Sequence, residues 1–346
     1  VLVINDLHIG VNRTGGTTPQ SQAALRDYLR NGLEQLINNE DQFIVVNGDL
    51  FDSFTVEPLE VVKTAAIFFK WLSVSNSRVL HTVAGNHDYQ PKADKLSGFH
   101  LLAHMLAFSE HGHRVTVHDS GFSRVCDTVW CIPHMPNQNL FNAEVVKASE
   151  MDGNGKQLLL HCNYNNHFAQ NSDHSLNLDD DQTASLLKAG WTLVFGHEHV
   201  GRTLHGGRVI IVGNQFPSSV SDCIGDTDKH CLRVKNGSLQ LEQTWSAHEN
   251  YIEADWKDLK IPDHYKFIRV IGEASAAESA EVIKAVSKLR QSHSAYVITN
   301  AVKIEGCDLS NELAGSIEDI KVFDVVGAIM SELTEQEQNV VKGLLQ

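Results

Sequence analysis

The chain lacks any C-x-x-C pair: its six cysteines (Cys126, Cys131, Cys162, Cys223, Cys231 and Cys307) lie scattered. Such spacing reads as reduced thiols in a cytosolic protein, not as a disulfide framework or a cysteine metal cage. No apolar run reaches transmembrane length, and no charged stretch leads into an apolar one at the start, so neither membrane insertion nor secretion is indicated. The chain starts at Val1 inside a strand-like run, and a trimmed initiator Met or short leader is expected ahead of it. Basic charge is also scarce. With 28 Lys and Arg against 43 Asp and Glu, the net charge is −15 with His neutral, which argues against gripping nucleic acid by a broad basic surface. Bound divalent cations would invert the field locally at a site lined by Asp6 and Asp49.

What is abundant is histidine, 19 of 346 residues, and its placement is ordered. Phe43 to Val46 is a short apolar run of the kind that fills a buried strand. It stops at Asn47-Gly48-Asp49, turn-forming residues that put a carboxylate just past the strand end. Four other runs end alike. Asp6-Leu7-His8 follows Val1 to Ile4, Gly85-Asn86-His87-Asp88 follows Val79 to Ala84, His161 closes Gln157 to Leu160, and Gly196-His197-Glu198-His199 follows Thr192 to Phe195. A lone Gly-Asp is ordinary turn chemistry. Five strand ends carrying metal-binding or acid/base side chains are not, and in open α/β sheets that edge is where ligands sit.

At this length a main domain plus an accessory one is expected, with a core that needs no staples. Ala24, Leu25, Tyr28, Leu29, Leu33, Leu36 and Ile37 recur at helical spacing between the first two strands, giving a βαβ unit. Pro58 opens a second helix through Trp71, a position where its missing N–H costs nothing, and a further helix covers Phe99 to Phe108. Val115–Val117, Gly121–Val125 and Thr128–Ile132 read as strands of a second sheet packed on the first. Lys156–Cys162, Trp191–Phe195, Val209–Val212, Cys231–Lys235 and Ser238–Thr244 continue it, the last two joined by an Asn236-Gly237 hairpin. The composition turns polar between Ala247 and Asp263, where a domain boundary is expected. Beyond it lie a strand over Lys266–Ile271, a capping box at Ser275-Ala276-Ala277-Glu278 opening a helix through Leu289, and a strand over Ala295–Ile304. Two apolar-faced helices follow, one carrying Val322, Phe323, Val325, Val326, Ile329, Met330 and Leu333, the other Val340, Val341, Leu344 and Leu345.

Asp, Asn and neutral His suit borderline divalent ions, and the absence of Cys from the set disfavours structural zinc. Asp6, His8, Asp49, Asn86, His161, His197 and His199 make seven candidate ligands, too many for one ion with open positions. Two ions sharing one carboxylate, about 3.5–4 Å apart, is the economical arrangement, and such a pair can clamp a phosphoryl group for in-line attack.

In their order along residues 6 to 199 these five clusters resemble the signature motifs of the calcineurin-like metallophosphoesterases. Each motif alone is common; the ordered set is specific. The resemblance implies a two-sheet αββα metallophosphoesterase sandwich of the α/β class over residues 1–250. It also implies a small α/β cap module over 264–310 and C-terminal helices over 318–346 that hold a partner. Carried over residue by residue, Asp6, His8 and His199 would bind one metal, Asn86, His161 and His197 the other, and Asp49 would bridge them. His87 matches the substrate-facing histidine that protonates the leaving oxygen or steadies the phosphate. Asp52 matches a carboxylate that holds this histidine, while Asp88 and Glu198 read as turn-stabilising.

Protein phosphatases of the superfamily carry an Arg after the position of Asp52, and here it is Ser53. Gly48-Asp49-Leu50-Phe51-Asp52, Gly85-Asn86-His87-Asp88 and the appended module look like the SbcD-type DNA repair nucleases. That implies a DNA phosphodiesterase with two divalent ions, manganese foremost and Mg²⁺, Fe²⁺ or Zn²⁺ as alternatives, in the cytoplasm. An SbcC-type coiled-coil ATPase would be its partner through the C-terminal helices, with a homodimer as a further expectation. A hydrolase of a small phosphorylated molecule or nucleotide fits the acidic composition better, and a non-catalytic scaffold is the third reading.

Overall fold

The computed structural model describes residues 1–12, 18–37, 41–89, 95–166, 175–235 and 238–305. The terminal helices, Cys307 and the Asn236-Gly237 turn expected from the sequence lie outside these residues.

Two six-stranded sheets form the centre. The strands run β1 (Leu2–Ile4), β2 (Phe43–Asn47), β3 (Val79–Val83), β4 (Val115–His118), β5 (Ser123–Arg124), β6 (Val129–Ile132), β7 (Gln157–His161), β8 (Asn163–Tyr164), β9 (Asn177–Leu178) and β10 (Thr192–Gly196). They continue as β11 (Arg202–Leu204), β12 (Val209–Ile211), β13 (Asp228–Lys235) and β14 (Ser238–Ser246). The first sheet has the order β14-β13-β1-β2-β3-β4 and the second β11-β12-β10-β7-β6-β5. In the first, β1 to β4 are parallel and β13 runs antiparallel beside β1. In the second, β6, β7, β10 and β12 are parallel, with β5 and β11 as antiparallel edges.

The strand pleat sorts the side chains into layers. Val3, Val45, Leu159 and Val194 meet between the sheets. Their neighbours Leu2, Ile4, Ile44 and Val46 pack under the helices Pro19–Ile37, Pro58–Val74 and Gly98–Ala107. Leu158, Leu160, Leu193 and Phe195 pack under Gln138–Ser149 and Asp180–Lys188. The result is the αββα sandwich.

The sequence reading sets Val115–Val117, Cys231–Lys235 and Ser238–Thr244 in the second sheet. The structure puts all three in the first, as its edge strand β4 and the pair β13–β14. Alternation along a strand reports which face is buried, not which sheet supplies its hydrogen-bond partner. The polar stretch read as a boundary also holds a strand, β15 (Tyr251–Asp255). It runs parallel to β16 (Phe267–Ile271), which in turn pairs with β18 (Val297–Asn300), with β17 (Glu273–Ala274) and β19 (Lys303–Ile304) in a small separate pair. Helix Ser279–Ser292 covers one face of this module through Val282, Val286 and Leu289, behind the Ser275–Glu278 capping box. Phe267 and Val297 on the other face join the core of the larger unit, with Phe267 edge-on to Tyr28 and Trp245.

No helix among the described residues is long and apolar enough to cross a membrane. The five described cysteines are free thiols.

One polar pair lies between the sheets. His81 Nδ1 is 2.8 Å from His118 Nε2, and His118 Nδ1 is 2.8 Å from Ser123 Oγ. Burial, then the neighbouring His118, pushes His81 down to about 4. An unfolded histidine titrates near 6.5, so between about pH 6.5 and 4 the unfolded chain binds a proton that the folded one refuses, and stability falls as pH falls through that window. The contribution is on the order of 3 kcal/mol. Urea unfolding at pH 7.5 and pH 5 should therefore show a smaller acid loss for His81→Gln than for the wild type. Equal losses would mean that His81 titrates alike in both states.

Candidate metal centre

The carboxyl ends of β1, β2, β3, β7 and β10 meet along one edge, and the loops there are laced together by backbone bonds. Asp6 N–H donates to the Gly48 carbonyl at 3.2 Å, His8 N–H to that of Asp49 at 3.1 Å and Asp52 N–H to that of Ile9 at 3.1 Å. The two sheets are pinned at the same place: Asn47 Nδ2 donates to the Leu160 carbonyl at 3.3 Å, and the Asn5 side chain to that of Gly213 at 3.2 Å.

Asp6, His8, Asp49 and His197 all hold positive φ, at 51°, 49°, 48° and 83°, a region that costs a side-chain-bearing residue energy and clusters where the surroundings enforce it. Two glycines make room. A Cβ on Gly48, itself at φ 86°, would stand 2.0 Å from His161 Nδ1, and one on Gly85 would stand 2.2 Å from Asp49 Oδ1.

All seven candidate ligands converge. Ligand atoms of Asp6, His8 and His199 lie within 4.8 Å of one another, and so do those of Asp49, His161 and His197. Asn86 Oδ1 joins the second group, 3.0 Å from His161 Nε2 and 2.9 Å from His197 Nδ1. Asp49 lies between the groups. Its Oδ1 is 3.3 Å from His161 Nε2 and also accepts the His87 N–H at 3.0 Å, and it forms a third close set with His8 and His87. Asp6 is held by the His197 N–H, at 2.9 and 3.0 Å from its two oxygens.

The imidazoles are oriented from behind, as metal-ligating histidines usually are. His161 Nδ1 donates to the Asn47 carbonyl at 3.0 Å, and His199 Nδ1 to Asp222 Oδ1 at 3.0 Å. The sequence reading sets Asp52 against His87; the structure also brings its carboxylate to 3.5 Å from His8 Nδ1, where the Ile9–Phe51 bridge draws the two loops side by side. Asp49 stands beside His87, with its Oδ2 3.9 Å from His87 Nε2. The sequence reading misses Asp222, which lies 23 residues past the histidine it holds. Its only local signal is the Ser219 cap that starts helix Val220–Gly225. Asp88 accepts the Gly85 N–H at 2.9 Å, and Glu198 the Tyr164 N–H at 2.7 Å, so both brace loops.

These contacts fit divalent cations. Asp222 accepts at Nδ1 of His199 and Asp52 lies 3.5 Å from that of His8, and the two Nε2 atoms face each other at 2.9 Å; with the ring protons on Nδ1, both would present lone pairs there. Only a proton or a cation between or beside them makes that approach favourable. The carboxylates agree. Burial pushes Asp6 up to about 7. It would push Asp49 up as well, but His161, His87 and His8 hold Asp49 well below the usual carboxylate range. Burial opposes a charge on His161, yet Asp49 and then Asp6 push it up to about 10. Without cations, the site must keep protons to balance its carboxylates. Metal uptake displaces such protons, so affinity rises with pH.

A layered α/β sandwich with a histidine- and aspartate-rich cluster at one strand edge defines a metal-binding hydrolase class. Residues 1–201 match the family model of the calcineurin-like phosphoesterases, and the chain belongs to that family. No curated protein matches it.

Proposed function

We propose that the protein is a two-metal phosphodiesterase acting on DNA, with manganese as the first-choice ion. The observation that carries the two-metal part is Asp49, whose carboxylate forms one close set with His161 and His197 and another with His8 of the first group. Asp6, His8 and His199 would hold one ion and Asn86, His161 and His197 the other. Bound there, divalent ions supply Lewis acidity to a phosphoryl group and lower the pKa of water. The chain's own contribution is to fix the donors, exclude bulk water from the buried side and present His87, whose side chain is 38% exposed, to the leaving oxygen.

Diester over monoester chemistry is supported at Ser53. Phosphatases of the superfamily place a guanidinium there for a terminal phosphate, whereas the Ser53 hydroxyl donates to the Thr55 carbonyl at 2.8 Å. The SbcC-type ATPase partner belongs to the same reading, and co-purification of the two chains tests it. The net charge of −15 favours a second reading, hydrolysis of a small phosphorylated molecule or nucleotide.

One assay series separates them. The purified protein is incubated with Mn²⁺, Mg²⁺ or no added metal against linear double-stranded DNA, single-stranded DNA, bis-p-nitrophenyl phosphate and p-nitrophenyl phosphate. Metal-dependent cleavage of DNA and the diester is expected. Hydrolysis of the monoester with no cleavage of DNA would overturn the nuclease reading.

A further inference from the structure

The loop carrying His197 and His199 is gripped from beneath by a segment outside the family match. Lys229, on β13, is fully buried, with 0% of its side chain exposed. Its Nζ donates to the His199 carbonyl at 3.1 Å and lies 3.4 Å from Asp226 Oδ2. That same oxygen accepts the Gly201 N–H at 3.0 Å. Four residues upstream of Asp226, Asp222 takes the His199 ring, and its other oxygen accepts the Ser218 N–H and hydroxyl at 2.8 and 2.9 Å. Residues 222 to 229 thus hold His199 by its ring and its carbonyl, and the loop two residues further by an amide.

A buried amino group is expensive unless its bonds are met. Lys229 meets them by reaching a backbone carbonyl that secondary structure would otherwise have to satisfy. A main-chain oxygen on a tight loop is a poor anchor by itself, because the loop can rotate its peptide toward water. Tied to an ammonium of the neighbouring sheet and to the Asp226 carboxylate at the end of helix Val220–Gly225, the loop at His199 is fixed, and with it the direction in which the imidazole leaves the backbone. Two of the other three donors hang from different supports: Asn86 follows β3, and His161 is held by the Asn47 carbonyl. His197 shares the loop but precedes the held peptide, and its own N–H is tied to Asp6.

The geometry points to Lys229, acting with Asp226 and Asp222, as a positioning residue that sets the affinity of the ion held by Asp6, His8 and His199, while leaving the ion at Asn86, His161 and His197 largely alone. This rests on the two-metal reading above.

The test is a Mn²⁺ titration of metal-free full-length protein, with free Mn²⁺ counted by electron paramagnetic resonance and the thermal midpoint of each metal-free protein measured alongside. Wild type should take up two ions. In Lys229→Met, one binding step should weaken by about 10- to 100-fold, the usual cost of losing an outer partner of a metal ligand, with the other step unchanged. The double variant Asp226→Asn/Lys229→Met removes the carboxylate that the single change leaves unpaired, and it is the protein to read if the single variant does not fold. Two steps of wild-type strength in a folded variant would overturn the inference while leaving the two-metal reading intact. Equal weakening of both steps would also overturn it, since that is what a merely structural role produces. No Mn²⁺ uptake by wild type would bring down the site reading itself, and this inference with it.

Discussion

Asp49→Ala is expected to strip both ions from the protein, whereas His199→Ala or His161→Ala should mainly weaken one. The cause is geometric. Asp49 Oδ1 is 3.3 Å from His161 Nε2, and the same carboxylate belongs to the close set with His8, so its loss removes an anionic donor from both groups. A histidine removes a neutral donor from one group and leaves the shared carboxylate in place. The loss at each site in Asp49→Ala should exceed the roughly 100-fold that an outer partner can cost, and metal-dependent turnover should vanish with it. Metal content after dialysis, measured by mass spectrometry, gives the answer directly. If every single-ligand variant lost both ions equally, the two groups would not be separable sites.

The same residues separate local signals in the chain from those that only the fold supplies. Four of the five strands that end in a ligand are apolar runs stopped by Gly, Asn or Asp, and the fifth runs straight into His161; both the run and its end are local properties of the chain. The αββα layering follows from them, because Val3, Val45, Leu159 and Val194 alternate with residues that face helices. What escapes is whatever depends on a neighbour supplied by the fold. The pairing of β13 with β1, the contact of Asp52 with His8 and the grip of Asp222 and Lys229 on His199 join positions far apart in sequence. A buried lysine on a strand looks like an interruption of its apolar pattern, and nothing near Lys229 announces the carbonyl it serves. Asp52 is instructive in another way. Its spacing after Asp49 matches a known role toward His87, but spacing does not show that the Ile9–Phe51 bridge also sets the carboxylate 3.5 Å from His8.

That distinction separates two variants that spacing alone would group together. His87→Asn should keep both ions and the fold and lower turnover by a factor of about 10² to 10⁴, the usual range for a positioned general acid. Its ring is more than a third exposed, and it stands edge-on to His8 with centroids 5.2 Å apart, so an approaching phosphoester could reach it. Its backbone N–H still donates to Asp49 Oδ1 after the change, because that 3.0 Å bond belongs to the main chain. Asp52→Asn, by contrast, should act on metal affinity, weakening the ion bound at His8 by about 10- to 100-fold, and saturating Mn²⁺ should restore much of its turnover. Added metal should restore nothing to His87→Asn. Rates for both variants across a Mn²⁺ series, with metal content measured in parallel, decide the matter. Loss of an ion from His87→Asn would make His87 a ligand, which its place in the third close set with His8 and Asp49 permits geometrically, and the proton would then have to reach the leaving oxygen from another group.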